Sequence, residues 1–283
     1  MTNLTIDCQA TYDLMRRHGI RPTHSLGQNF LLDEAVLQAI VDSADLDSQD
    51  LVLEIGPGLG HLTRLMADRA ARIVAIEIDR HLLPALHEMT DAAGNIEIIH
   101  ADARNVRFST LREKGSGSHK IVANLPYYIT TPLIIKCLSE WPSAERLVLT
   151  IQNEAAERIL AGPGQGNYGP LAVLCQLYGQ PIKQRIIHAD AFVPRPNVDS
   201  CLLVIRGNPD RPPEEEWPSF ARFLNGAFAN RRKKLSNVLL GQPVAGRSKE
   251  DLAAVFEQLG LSSNARAEEL PPIVWYRLFK SLN

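Results

Sequence analysis

Several features from which function is commonly read are scarce in this chain. There are four cysteines in 283 residues, Cys8, Cys137, Cys175 and Cys201, scattered with no CxxC pair. That scatter excludes a disulfide framework and a structural zinc site, and it implies a reducing compartment. Eight histidines form no metal-ligand spacing, so no metal is expected. An excess of charge of either sign is missing too. Thirty Lys and Arg face 32 Asp and Glu, for a net charge of −2 and a pI near 6.5, so nucleic-acid binding would have to rest on local patches. No apolar run approaches membrane-spanning length, and "MTNLTIDCQATYDL" at the N-terminus lacks a basic n-region and an apolar h-region. A soluble, cytoplasmic protein is expected. There is no internal repeat, no nucleophile elbow and no G-x-x-x-x-G-K-[ST] phosphate loop.

What is present is an alternating pattern. "DEAVLQAIVDSA" (33–44) has helical apolar spacing with acids in its first turn. From residue 51, "LVLEI" (51–55), "RIVAIEI" (72–78), "IEIIH" (96–100), "KIVAN" (120–124), "RLVLTI" (146–151), "KQRIIH" (183–188) and "SCLLVIR" (200–206) read as seven strands, the first five separated by helical stretches. Such alternation predicts right-handed crossovers and a doubly wound, mostly parallel α/β sheet covered on both faces. The connection "ADAFVPRPNVD" is too short for a crossover helix, which predicts a final antiparallel pair. "REKGSGSHK" (112–120) reads as a surface loop. "RGNPDRPPEEEWPSF" (206–220) reads as a linker, followed by the helical stretches "FARFLNGAFANRRKKLSNVLL" and "SKEDLAAVFEQLG". The expected organisation is an α/β domain over 1–206, with a helical segment at 1–50, and a small all-helical domain over 207–283.

The chemistry collects at strand ends. "EIGPGLGHLT" (54–63) follows the first strand and opens a helix; Gly56, Gly58 and Gly60 would let the backbone turn tightly and approach a ligand, or serve only for packing. The spacing is G-x-G-x-G rather than the dinucleotide G-x-G-x-x-G. Glu77, at the end of the second strand, is placed to bind two ribose hydroxyls, or is a surface acid. Asp79 reads as a cap for the next helix. Asp102, just after the third strand, would accept from an adenine amino group, or is a plain N-cap. Gly56, Glu77, Asp102 and Asn124 all fall at the carboxyl ends of successive parallel strands, where a doubly wound sheet forms its ligand crevice. A nucleoside-bearing cofactor is expected there.

"IVANLPYYIT" (121–130) narrows the choice, since it concentrates two tyrosines in a chain that is only 6% aromatic. An amine conjugated with a purine ring is a poor nucleophile because its lone pair is delocalised. Acceptors aimed at its two hydrogens, the Asn124 side-chain oxygen and the Leu125 carbonyl, would localise that lone pair. Pro126 would stiffen the turn and Tyr127 would stack on an extruded base. The methyl of S-adenosylmethionine, bound across the first strands, would then be in line for displacement. The competing reading is a strand-ending turn with core tyrosines, and Tyr128 has no assigned role.

"LGQNFL" (26–31), "LEIGPGLGHLT", "IEID", "ADA", "NLPYYITTP", "FVPRPNVDS" and "FANRRKKL" resemble, in order and spacing, the KsgA-type ribosomal RNA small-subunit adenine dimethyltransferase family. The resemblance runs from about Gly19 to "ARAEEL". It implies a seven-stranded Rossmann-like methyltransferase sheet, with a monomer acting on two adjacent adenosines near the 3′ end of small-subunit ribosomal RNA in an assembling subunit. It implies S-adenosylmethionine contacts at Asn29 and Leu31, with Gln28 close by, and at Gly56, Gly58, Glu77, Asp102 and Asn124. It places the target amine at Asn124, Leu125, Pro126 and Tyr127, and makes Phe192 the second aromatic around the adenine.

Arg231, Arg232, Lys233 and Lys234 would contact RNA, or form a solvated basic face; Arg16, Arg17 and Arg21 form a second cluster. The family is usually basic, and a pI near 6.5 departs from that. "GPGQGNYGPL" (162–171) is Gly-rich where the family has a loop near the substrate mouth, and Pro170 is unusual there. The rival readings are a large-subunit RNA methyltransferase giving macrolide resistance, a dinucleotide-dependent oxidoreductase, and a non-catalytic RNA-binding assembly factor.

Overall fold

Each of the seven apolar runs forms a strand of one sheet in the computed structural model, which describes residues 8–112, 117–231, 233–241 and 248–283. The strands are β2 (Leu51–Ile55), β3 (Arg72–Glu77), β4 (Ile96–His100), β5 (His119–Asn124), β6 (Arg146–Gln152), β7 (Gly179–Ile187) and β9 (Ser200–Gly207). Their order across the sheet is β4-β3-β2-β5-β6-β9-β7. The five strands from β4 to β6 pair in parallel, and β9 is antiparallel to both β6 and β7, as the short connection required. Strand order reverses between β2 and β5, which opens the crevice at Gly56 and Asn124.

Alternation along β2 decides the two faces. Leu51, Leu53 and Ile55 join an apolar cluster with α5 (Thr130–Glu140) and α7 (Pro170–Tyr178). Val52 points the other way, into a cluster with α2 (Glu34–Ala44) and α3 (His61–Ala67). α2 forms because Val36, Leu37, Ile40, Val41 and Ala44 share one buried face and the Asp33 carboxylate accepts from Val36 N–H at 2.9 Å. It stops at Asp45, where φ is +52°. α6 (Asn153–Leu160) follows β6, and Pro170 occupies the first turn of α7, where its missing N–H has no helical partner to lose.

Three expectations need correcting. Among the described residues, the only helical element between β4 and β5 is a 3₁₀ turn at Phe108–Thr110, because that connection lacks an apolar period long enough for a helix. The end of the expected surface loop is strand: Lys120 is buried in β5 and pairs with buried Asp50 at 2.7 Å. Asp50 also accepts from Ser118 Oγ at 2.6 Å and Asp47 N–H at 2.8 Å, so neither charge is left without partners. Finally, 206–220 is not a free linker. Gly207 ends β9, and Trp217 and Phe220 are fully buried at the start of α8 (Trp217–Phe228). The Trp217 indole N–H donates to Pro212 O at 3.0 Å.

The helices α9 (Leu235–Leu240), α10 (Lys249–Gln258) and α11 (Pro272–Leu282) complete the C-terminal part. α10 begins with a reciprocal Ser248–Asp251 capping box. Their apolar faces belong to the same cluster as β2 and α5, with Trp275 at its interior. The 162–171 segment is tied to this part through Gly164 N–H to Glu268 O at 2.8 Å and Tyr168 OH to Leu270 O at 2.7 Å. At the opposite end of the chain, α1 (Cys8–Arg17) and α4 (Leu83–Thr90) enclose a third cluster in which Leu14 and Met15 meet Leu59 and Leu82. Two two-residue strands, β1 (Phe30–Leu31) and β8 (Phe192–Val193), pair antiparallel, with Leu31 opposite Phe192.

Candidate active site

Apart from Gly60, every residue named above for the cofactor or the target amine lines one cleft at the carboxyl ends of the strands. The turn between β2 and α3 holds Gly56, Gly58 and Gly60 at φ of +73°, +60° and +89°, where a Cβ would be strained. At Gly58 a Cβ would also stand 3.2 Å from the Phe30 ring. The backbone therefore reaches the cleft without a side chain in the way.

Glu77 ends β3, almost fully buried. Its carboxylate accepts from Gly58 N–H at 3.1 Å and from Asp79 N–H at 2.8 Å, while burial pushes its pKa up. Asp79 does not cap α4 directly; it accepts from His81 N–H at 3.0 Å and from Gln28 Nε2 at 2.7 Å. Gln28 also accepts from Thr23 N–H at 2.7 Å, so both ends of its amide are engaged in pinning the N-terminal segment over the end of β3. Asp102 is held by Arg104, whose Nη2 donates at 2.6 Å and whose Nε lies 3.0 Å from the same oxygen; this guanidinium keeps the carboxyl below its usual range.

Asn124 ends β5. Its Nδ2 donates to Asn29 O at 3.3 Å, which leaves Oδ1 as the acceptor on the cleft side of the amide. The Leu125 N–H is engaged by Thr150 O at 3.1 Å, and Pro126 at φ −56° turns the chain. Tyr127 is half-buried, and its hydroxyl lies 2.9 Å from Ser200 Oγ, which holds the far end of the ring; burial pushes its pKa up. Tyr128 is 52% exposed, with its ring beside Gly27 at the mouth. Phe192 reaches the cleft wall but is only 3% exposed, packed with Leu31 in the α2-side cluster.

The basic tetrad lies elsewhere. Arg231 donates to Gly166 O at 2.9 Å and to Glu268 Oε2 at 2.9 Å, an internal tie between the 162–171 segment and the C-terminal part. Lys233 and Lys234 are exposed ahead of α9, and Arg232 lies outside the described residues.

Two cleft residues escaped the sequence reading. Glu54 is a lone acid inside the apolar run "LVLEI", and that anomaly was the available signal. It is 1% exposed, and burial together with the nearby Glu77 pushes its pKa up to about 8. His61, first residue of α3, faces Thr11 Oγ1 of α1 at 2.9 Å, and burial pushes its pKa down to about 4, so it is neutral at pH 7. Nothing in local pattern distinguishes His61 from a surface histidine. Among the described residues no group of His, Cys, Asp and Glu could hold a metal ion, and no helix is long and apolar enough to cross a membrane.

The family model for ribosomal RNA adenine dimethylase matches residues 20–283. A ribosomal RNA small subunit methyltransferase A from Pelotomaculum thermopropionicum is 41% identical over 91% of this chain and 90% of its own length. The protein of the same name from Myxococcus xanthus is 37% identical, with 92% and 90% covered. Among solved structures, a dimethyladenosine transferase from Plasmodium falciparum aligns with a TM-score of 0.70 and 26% identity, covering 87% of this chain and 94% of its own. The 23S rRNA methyltransferase ErmE aligns with a TM-score of 0.64 and 27% identity, covering 90% and 99%. With a match over nearly the whole chain and the Rossmann-like sheet in place, this chain belongs to the ribosomal RNA adenine dimethylase family, and it is a methyltransferase.

Proposed function

We propose that this chain transfers methyl groups from S-adenosylmethionine to the exocyclic amines of two adjacent adenosines near the 3′ end of small-subunit ribosomal RNA, in an assembling small subunit. It acts as a cytoplasmic monomer. The single observation that carries the reading is the Asn124 amide, fixed by Asn29 O so that its Oδ1 is presented to the cleft beside the Leu125–Tyr127 turn.

The cleft residues suit the cofactor. The glycine turn leaves room along the backbone, Glu77 suits the ribose hydroxyls, and Asp102 suits the adenine amine once Arg104 shares its carboxylate. Gln28, Asn29 and Leu31 would close the N-terminal side. When bound, S-adenosylmethionine supplies an electrophilic methyl carbon on a sulfonium. Asn124 Oδ1 and the Leu125 carbonyl accept the two amine hydrogens and localise the nitrogen lone pair. Tyr127, steadied by Ser200, stacks on the flipped adenine, and the edge of Phe192 supports it from the cleft wall. The methylated nitrogen is acidic and releases its proton to water, so the chain needs no general base. Residues 1–206 perform this chemistry, and 207–283 dock the RNA through Lys233 and Lys234.

Tritiated methyl from S-adenosylmethionine should enter the RNA of small subunits that lack the modification. Asn124→Ala should lower that transfer by about two to three orders of magnitude, the scale for losing one polar contact aimed at a reacting group, while RNA binding persists. Transfer into large-subunit RNA alone would instead support the macrolide-resistance type.

A further inference from the structure

Glu54 has no place in the chemistry so far, yet it lies in the cleft. It sits between Ala75 of β3 and Val122 of β5 in the sheet register, and it precedes the glycine turn by two residues. Its Oε2 is buried with no hydrogen-bond partner. We infer that Glu54 reads the charge of the cofactor: its carboxyl gives up a proton to solvent when the sulfonium form enters the cleft, and takes one back when the thioether product replaces it. This rests on the cofactor reading above.

The electrostatics of the lining support it. Facing Glu54 are the Glu77 carboxylate from β3 and the Thr63 hydroxyl from α3, while the neutral His61 ring lines the same cleft. Asp79 beyond Glu77 is partnered by Gln28 and His81. Three carboxylates line the cleft, Glu54, Glu77 and Asp102, against one cation, Arg104, which is engaged by Asp102. No cation among the cleft-lining residues remains for Glu54, and the nearby Thr63 hydroxyl alone offsets the burial of a carboxylate whose Oε2 is unpartnered, so the protonated form is favoured in the free protein. A sulfonium ligand carries one more positive charge than its thioether product. Because Glu54 itself is buried, where charges interact more strongly than in water, that charge favours its anion. The step is a single O–H ionisation, with the proton passing to buffer and no redox change. Methyl transfer removes the positive charge, Glu54 is reprotonated, and the product loses its attraction to the site. An enzyme that must exchange product for fresh cofactor between methylations gains from such discrimination.

The test is calorimetric binding of S-adenosylmethionine and S-adenosylhomocysteine to the full chain at pH 7, in buffers of different ionisation enthalpy. The sulfonium ligand should release about one proton and the thioether clearly less. Glu54→Gln should bind both without proton release. Its preference for the sulfonium form should shrink, by roughly tenfold for each unit by which that charge brings the Glu54 pKa below the working pH. Binding of both ligands with equal proton release, or with none, would overturn the role of Glu54 while leaving the cofactor reading intact. Absence of binding heat with either ligand would remove both. The wild-type buffer series decides the matter even if Glu54→Gln does not fold.

Discussion

His61 is held neutral by burial beside Thr11, and its consequence for stability has a definite sign. Its folded pKa of about 4 lies below the 6.5 of an exposed histidine, so the unfolded chain binds more protons between those values. The contribution to stability is therefore complete above pH 6.5 and is lost as pH falls toward 4. His61→Gln should remove that part of the acid destabilisation, on the order of 2 kcal/mol, which thermal unfolding of variant and parent at pH 7 and pH 4.5 would resolve. Glu54 acts in the opposite sense. Its raised pKa weakens the fold as pH climbs from 4.5 toward 8, so the comparison must be made against the parent at each pH.

On the function proposed above, the element that governs the cofactor side is the β2–α3 turn. All three glycines have positive φ, Gly58 and Gly60 also leave little room for a Cβ, and of these two Gly58 lines the cleft, with its N–H on Glu77. Gly58→Ala would place a methyl 3.2 Å from the Phe30 ring at φ +60°. The expected cost is about 1–2 kcal/mol in stability together with at least a tenfold loss of S-adenosylmethionine affinity, readable by thermal unfolding and calorimetry. The strands feeding this turn were legible from their apolar runs, as was the alignment of Gly56, Glu77, Asp102 and Asn124 at their ends. The β1–β8 pair was not. Two residues on each side are too few for any period, and their pairing depends on residues more than 150 positions apart.

For the whole molecule, the near-neutral charge must be reconciled with an RNA substrate. Arg231 is engaged internally with Gly166 and Glu268, which leaves Lys233 and Lys234 as the exposed members of the described tetrad. Replacing both with glutamate should weaken binding to small subunits and reduce the slope of log affinity against log salt by about 1.5–2, with cofactor binding unchanged; filter binding across a salt series measures it. The C-terminal helices share one apolar cluster with the sheet, so this surface is carried on a rigid mount rather than on a tether.

By itself, the sequence determined the seven-stranded α/β pattern, the crevice at the strand ends and the Asn-Leu-Pro-Tyr turn, because each of these follows from local periodicity or from short motifs at fixed spacing. Tertiary structure alone decided that Ser200 steadies Tyr127, that Gln28 pins Asp79, that Arg231 faces inward and that Glu54 is buried beside Glu77 with its Oε2 unpartnered. Those contacts join residues 37 to 73 positions apart, or arise from burial. Whether a charge is paired or orphaned is a property of everything packed around it, and no window of sequence contains that.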